Sequence, residues 1–172
     1  MLKIIFPILL TCFLLTACSA QQRITNTPAA VTVSPGELSI LVGQWTGKLT
    51  YLDYQSGQPY TMSANMLVTQ DSLVPANLLL KYEYPREPQA NSTSTFNITD
   101  AGTRLDEGRL INKTLSNDSL TLVTELAGMD DNKSGLIRHT YIITPHTFIM
   151  RKEFRQDGTA VFIRRNEFNQ SR

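Results

Sequence analysis

The run Thr147-Phe148-Ile149-Met150-Arg151-Lys152-Glu153-Phe154-Arg155, followed by Gln156-Asp157-Gly158 and then by residues 160–168, decides the fold class. Two β-rich stretches flank an Asp-Gly pair, which readily adopts the positive φ that a tight hairpin demands. Just upstream, Leu136-Ile137-Arg138-His139-Thr140-Tyr141-Ile142-Ile143 is long and partly β-branched, and a polar turn at 128–135 separates it from strand-like residues 119–127. The same alternation of strand and turn runs back to Gly47. Residues 47–53, 60–69, 78–84, 94–99 and 103–112 read as strands, with turns that include Gln55-Ser56-Gly57-Gln58-Pro59, Pro85-Arg86-Glu87-Pro88 and Asp100-Ala101-Gly102. No run of about 12 residues carries a 3.6-residue apolar period. With no room for helical crossovers, roughly nine strands must pair antiparallel. Consecutive hairpins make an up-and-down meander, and closing it into a barrel removes the exposed edges. An open β-sandwich is the alternative.

The 172 residues suit one domain, and 41% hydrophobic with 18% charged residues is ordinary for a globular chain. A formal charge of +1 implies no basic surface, so nucleic acid is not an expected partner. Two Cys and two His leave little material for a zinc cluster or a disulfide framework.

The N-terminus has a different texture. Lys3 precedes an apolar stretch over 4–15, interrupted by Pro7 and Thr11, that is short for a membrane span and shaped like a secretory h-region. It ends in Leu15-Thr16-Ala17-Cys18, which resembles the lipobox of bacterial lipoproteins. The resemblance implies a signal peptide over 1–17, cleavage before Cys18, and acylation of both the Cys18 thiol and the new amine. Ser19 in place of an Asp implies a lipid anchor in the outer membrane, facing the periplasm, if the cell is Gram-negative. The alternatives are an ordinary signal peptide with a Cys at its cleavage site, or Cys18 as a buried thiol. Removing 1–17 leaves 155 residues and takes away Lys3, the one charged residue of that stretch, so the remaining formal charge is zero. Cys12 leaves with the signal and Cys18 is used by the anchor, so no thiol remains for catalysis or a disulfide. Residues 18–36 then read as lipidated Cys and flexible tether, too poor in large apolar groups to offset their ordering entropy. The alternative there is an N-terminal strand from Ala30-Val31-Thr32-Val33. Residues 37–172 form the barrel domain, opening with a short helical turn over 37–42.

Gly43-Gln44-Trp45, after that turn and before Gly47, resembles the Gly-x-Trp signature of lipocalins and the wider calycin group. The resemblance implies an all-β, lipocalin-like barrel of about 8–10 strands. It also implies that Trp45 plugs the floor while a basic residue of the last strand packs across its indole. Phe162-Ile163-Arg164-Arg165-Asn166-Glu167-Phe168 offers Arg164 or Arg165, so Gly43, Trp45, Arg164 and Arg165 form the expected closing set. The chain departs from vertebrate-type lipocalins in having no disulfide, no Thr-Asp-Tyr motif and no helix after the barrel.

With Trp45 inward, alternation turns Leu49 and Tyr51 inward as well. On other strands the parallel sets include Met62, Met66, Tyr82, His139, Tyr141, Met150 and Lys152. In the last strand either Phe162, Arg164, Asn166 and Phe168 or Val161, Ile163, Arg165 and Glu167 point in. The candidate ligand-lining residues are Tyr51, Met62, Met66, Tyr82, His139, Tyr141 and Met150, since Met and aromatic groups adapt to irregular apolar ligands. The same residues would equally fill a solid core. No cofactor is expected; His139 suits a haem axial ligand only if it is inward and reachable. His139 and His146 lack zinc-site spacing, and no Gly-x-Ser-x-Gly elbow marks a nucleophile. Asp106 and Glu107 point to opposite faces of a strand, and Asp130-Asp131 reads as a solvated loop. No catalytic or metal site is expected, and the chain reads as a non-enzymatic, membrane-anchored binder of a small hydrophobic or amphipathic ligand. The rival is a structural envelope lipoprotein that meets an unknown protein partner through loops at 85–92 and 128–135.

Overall fold

The computed structural model describes residues 29–172. The signal peptide over 1–17, the lipidation site Cys18 and the tether up to residue 28 lie outside the described residues. Twelve antiparallel strands follow: β1 Gly43–Leu52, β2 Pro59–Ser63, β3 Asn65–Gln70, β4 Leu78–Glu83, β5 Ser92–Phe96, β6 Ile98–Thr99, β7 Arg104–Leu105, β8 Gly108–Ser116, β9 Ser119–Asp130, β10 Lys133–Ile143, β11 Thr147–Gln156 and β12 Ile163–Ser171. Their spatial order is β5-β4-β3-β1-β12-β11-β10-β9-β8-β7-β6, with β2 beside β1. First and last strands pair from Thr46↔Ser171 to Tyr51↔Asn166. The edge strands β5 and β6 are joined through the single residue Asn97, so the sheet forms a nearly closed barrel.

The strand count exceeds the expected range because three continuous stretches are each broken once. Residues 60–69 bend at buried Ala64, whose N–H donates to the Gly47 carbonyl at 3.0 Å. Residues 94–99 bend at Asn97. Residues 103–112 turn back at Asp106-Glu107, where Asp106 sits at φ 51° in the left-handed region that Asp tolerates. The polar stretch 128–135 is no loop either. Asp131 and Asn132, both at positive φ, make a two-residue hairpin, and β9 and β10 pair up to Asp130↔Lys133.

The segment assigned to a tether enters the fold before Pro35. Val33 is 3% exposed, its N–H donates to the Gly102 carbonyl at 3.0 Å, and Lys113 Nζ donates to the Thr32 carbonyl. Two valines supply the apolar surface that the rest of that stretch lacks. Gly102, at φ +88°, allows the approach: a Cβ there would lie 2.4 Å from the Val33 carbonyl oxygen. The expected helical turn starts two residues early, as α1 Pro35–Leu38 continued by a 3₁₀ turn over Ser39–Leu41. The Ser34 N–H donates to the Glu37 carboxylate at 2.9 Å, a capping contact that starts the turn. Leu38 and Leu41 are buried beneath the barrel.

Trp45 is 1% exposed and closes that floor. Its Nε1–H donates to the Leu41 carbonyl at 2.7 Å, and Phe148 meets it edge-on at 6.0 Å. The guanidinium across the indole belongs to Arg172, 4.2 Å from the ring centroid, and to neither Arg164 nor Arg165. Strand β12 runs on to Ser171, beyond the expected end at residue 168, and its last residues are the ones beside Trp45. Arg164 and Arg165 lie at the other end of β12, on the order of 20 Å away at strand rise. Arg172 also donates to the carbonyls of Ile40, Val42 and Pro145 at 2.7, 2.9 and 2.9 Å, clamping the helical turn and the β10–β11 connection to the floor.

Candidate functional site

The registers of β9 to β12 stack inward side chains in rows. The lowest row is Leu120, Ile143, Phe148 and Gln170, and the next is Leu122, Tyr141, Met150 and Phe168. A third row is polar: Thr124, His139, Lys152 and Asn166. Leu126, Ile137 and Phe154 make a fourth. Between Lys152 and Glu153 the β11–β12 register slips by one, leaving Arg165 as the extra residue of a bulge. Both phases considered for the last strand are therefore partly realised. Asn166 and Phe168 face in, and past the bulge Arg165 turns in as well, its side chain only 10% exposed.

Above the second row lies a hollow of about 220 Å³, lined by Leu80, Tyr82, Ser94, Thr95, Phe96, Asp106, His139, Tyr141, Met150, Arg151, Lys152, Asn166 and Phe168. A second hollow of about 380 Å³ adjoins it between β5 and the β7–β9 region, and Thr95, Asp106 and His139 belong to both. Tyr82 and Phe168 pack at 5.1 Å and Phe96 and Tyr141 at 5.1 Å, so aromatic pairs wall the cavity. The inner hollow is smaller than the roughly 300 Å³ at which pockets for drug-sized ligands begin.

Several titratable groups face this space. Asp106 accepts the Asn97 N–H at 2.8 Å and donates its own N–H back to the Asn97 carbonyl at 2.7 Å, pinning the bend between β5 and β6. Burial pushes its carboxyl up to about 6, against the Asn97 hydrogen bond and helped by neighbouring Glu107. His139 is pushed down to about 4, by burial first and then by the Lys152 ammonium. Burial also raises Tyr141 far above the ordinary phenol range.

Asp130, expected in a solvated loop, is buried at the end of β9. It accepts the Tyr54 hydroxyl at 3.0 Å on both oxygens and Lys152 Nζ at 2.9 Å, and Arg165 Nε lies 2.6 Å away. Burial opposes its ionisation, but Lys152, Tyr54 and Arg165 together hold the carboxyl below the ordinary range. The two-residue hairpin turns this side chain inward, where a longer loop would have left it in water.

Of the candidate lining residues, Tyr82, His139, Tyr141 and Met150 come together in the hollow. The other three lie elsewhere. Met66 is core beneath the cavity, and Met62 is buried on β2. Tyr51 stacks on Tyr60 at 5.5 Å and lines a surface cleft with Arg164 and Arg165. Alternation along one strand does not reveal that β1 and β2 leave the cavity wall beyond Leu49. Asp106, Asn166 and the Asp130–Arg165 pair stand outside the candidate lining set and belong to the site. The visible signals are Lys152, a lone charge in an otherwise apolar inward set, and the two alternative phases of the last strand, which hold Asn166 and Arg165.

No family model matches this sequence, and no curated protein matches it. Among solved structures the chain is similar to Rv2717c from M. tuberculosis, with a TM-score of 0.54 and 11% identity over 80% of this chain and 95% of that one. It is also similar, at a TM-score of 0.37, to a point mutant of the fluorescent protein UnaG, with 10% identity over 78% of this chain and 96% of that one. A protein of unknown function from the DUF3598 family of Nostoc punctiforme gives the same TM-score, with 12% identity over 86% of this chain and 53% of that one. At 11% identity the likeness to the mycobacterial protein concerns the fold alone.

Proposed function

We propose that this chain is a lipid-anchored, lipocalin-like binding module of the cell envelope that takes a small hydrophobic or amphipathic ligand into its barrel without catalysing a reaction. The observation that carries the reading is the hollow over the second inward row, walled by aromatic groups and crossed by one polar row. A core built for stability alone gains nothing from half-buried Asp106 and His139 facing open space, since each costs desolvation. Apolar walls with a few converging polar groups and displaced pKa values are what a ligand pocket requires. The lipobox at Leu15-Thr16-Ala17-Cys18 supports attachment to a membrane, and Ser19 supports the outer membrane. Two or more acyl chains make such attachment stable without any contact from the barrel itself.

The test is a ligand screen on residues 19–172, which include the whole sheet and its core. Native mass spectrometry of the full-length protein purified from the cell envelope is expected to show a retained small molecule. Displacement of an environment-sensitive neutral dye by amphiphiles should report the same pocket. A barrel that retains nothing, and that neither takes up the dye nor any amphiphile, would overturn the reading.

A further inference from the structure

We propose that the seam in the barrel wall is a docking slot for an extended, basic segment of another polypeptide, which adds as a strand to the free edge of β9. The inference concerns the wall of the barrel and does not depend on a ligand inside it.

The pairing of β9 with β8 ends at Arg109↔Glu125, whereas its pairing with β10 runs on to Asp130↔Lys133. Residues 126–130 therefore have a strand neighbour on one side only among the described residues. Asp130 and Lys133 flank the two-residue turn and form the hydrogen-bonded pair of that hairpin. Alternation then gives the N–H and C=O of Asp130, Gly128 and Leu126 to β10, and those of Ala127 and Met129 point the other way. Both residues are exposed, Met129 at 65%. Across the seam β5 is paired with β4 alone. Between the two edges lies the hollow of about 380 Å³, bounded by Thr95 and Asn97 on one side and by Glu107, Gly108 and Leu126 on the other. Natural proteins blunt free edges with a charge, a proline or a bulge. Leu126-Ala127-Gly128-Met129 has no charge and no proline, and the Asp130 carboxylate turns inward to Lys152 and Arg165. An edge of this kind pairs with an extended chain through main-chain hydrogen bonds. From Ala127 to Met129 it spans about 7 Å at strand rise, enough to pair about three residues of the added chain.

Charge selects the occupant. Asp106 and Glu107 both line the seam, and neither carboxylate forms a salt bridge among the described residues. Arg104, the nearest cation along the chain, pairs with Asp100 at 3.7 Å and donates to the backbone carbonyl of Glu107 rather than to its carboxylate. Asp106 takes up its proton near 6 and is ionised at pH 7.5, where His139 is neutral and adds no opposing charge. Thr95, Asn97 and Thr99 add hydrogen-bonding groups to the same wall. Side chains alternate along an added strand, so every second residue enters this space. Unpaired carboxylates among polar groups are what a Lys or Arg entering there requires.

The experiment selects a random heptapeptide phage library on the full-length protein purified from the cell envelope, at pH 7.5, and then measures single peptides by fluorescence anisotropy. Enriched peptides are expected to carry a Lys or Arg among β-branched or aromatic residues and to lack Pro. Amide exchange at Ala127 and Met129 should slow about tenfold in the complex. Met129→Pro removes an N–H that β10 does not use, a change that an edge strand tolerates, and should weaken the peptides about tenfold. Glu107→Lys should reverse the charge preference, so that the best peptide with Glu in place of its basic residue binds several-fold tighter than its parent, a gain that misfolding cannot produce. The slot is overturned by any of three results: no enrichment, enriched peptides without a basic residue, or peptides that bind Met129→Pro as tightly as the unaltered protein.

Discussion

Asp106 and His139 make opposing contributions to the pH dependence of stability, and removing either one exposes the other. The folded Asp106 takes up its proton near pH 6, against an ordinary 3.8. Between those values the folded chain holds a proton that the unfolded chain lacks, so acidification stabilises the fold and rising pH removes that stability. His139 does the reverse. Its folded ring stays neutral down to about 4, while the unfolded ring protonates at 6.5, so acidification through that window favours unfolding. At about 1.4 kcal/mol per pH unit each displacement is worth about 3 kcal/mol at most, and partial solvent contact trims this to about 1–3 kcal/mol. The two nearly cancel between pH 4 and 6.5.

Asp106→Asn is therefore expected to stabilise the protein by about 1–3 kcal/mol at pH 7.5 and to do little at pH 4, because the amide oxygen still accepts the Asn97 N–H. His139→Gln should be neutral at pH 7.5 and stabilising by a similar amount at pH 4. Urea denaturation from pH 4.0 to 7.5, followed through the fluorescence of Trp45, the single tryptophan, measures both. Two results would refute the reasoning: an Asp106→Asn effect that does not vary with pH, or a loss of more than about 1 kcal/mol at pH 7.5. The second would mean that the bend at Asn97 depends on a charged acceptor.

Arg172→Met should cost about 1–3 kcal/mol in a thermal or denaturant melt, from the lost carbonyl bonds and indole contact, whereas Arg164→Met should cost little. Asp130→Asn leaves Lys152 and Arg165 without a counter-charge and should cost about 3 kcal/mol, part of which Lys152→Met restores in the double variant; additive losses would contradict the shared cluster. Cys18→Ala should abolish palmitate labelling and release the protein from the membrane fraction; labelling that persists would place the anchor elsewhere.

The inward rows of β9, β10 and β11 are legible because each strand is long and most residues on one of its two alternating faces are apolar. His139, Tyr141 and Met150 follow from that alone. The last strand is harder. A single bulge between Lys152 and Glu153 admits Arg165 as well as Asn166 to the interior, and alternation has no sign for a bulge. Asp130 escapes a sequence reading because a polar run that looks like a loop closes into a two-residue hairpin. Asp106 reads as part of a strand and is instead the corner of a turn, held by the backbone of Asn97. Val33 looks like tether because its partner, Gly102, lies far along the chain.

By itself the sequence determined the β-rich texture, the antiparallel pairing of hairpins and the apolar faces of the long strands. Each depends on φ/ψ preference and side-chain period, which act over a few residues. Only the tertiary structure decided that Arg172 covers Trp45, that Asp130 gathers Lys152, Arg165 and Tyr54, and that Asp106 looks across a hollow at His139. Those meetings depend on register, bulge and closure, which set distances between residues remote in the chain, and electrostatic interaction depends on distance and burial rather than on order in the sequence.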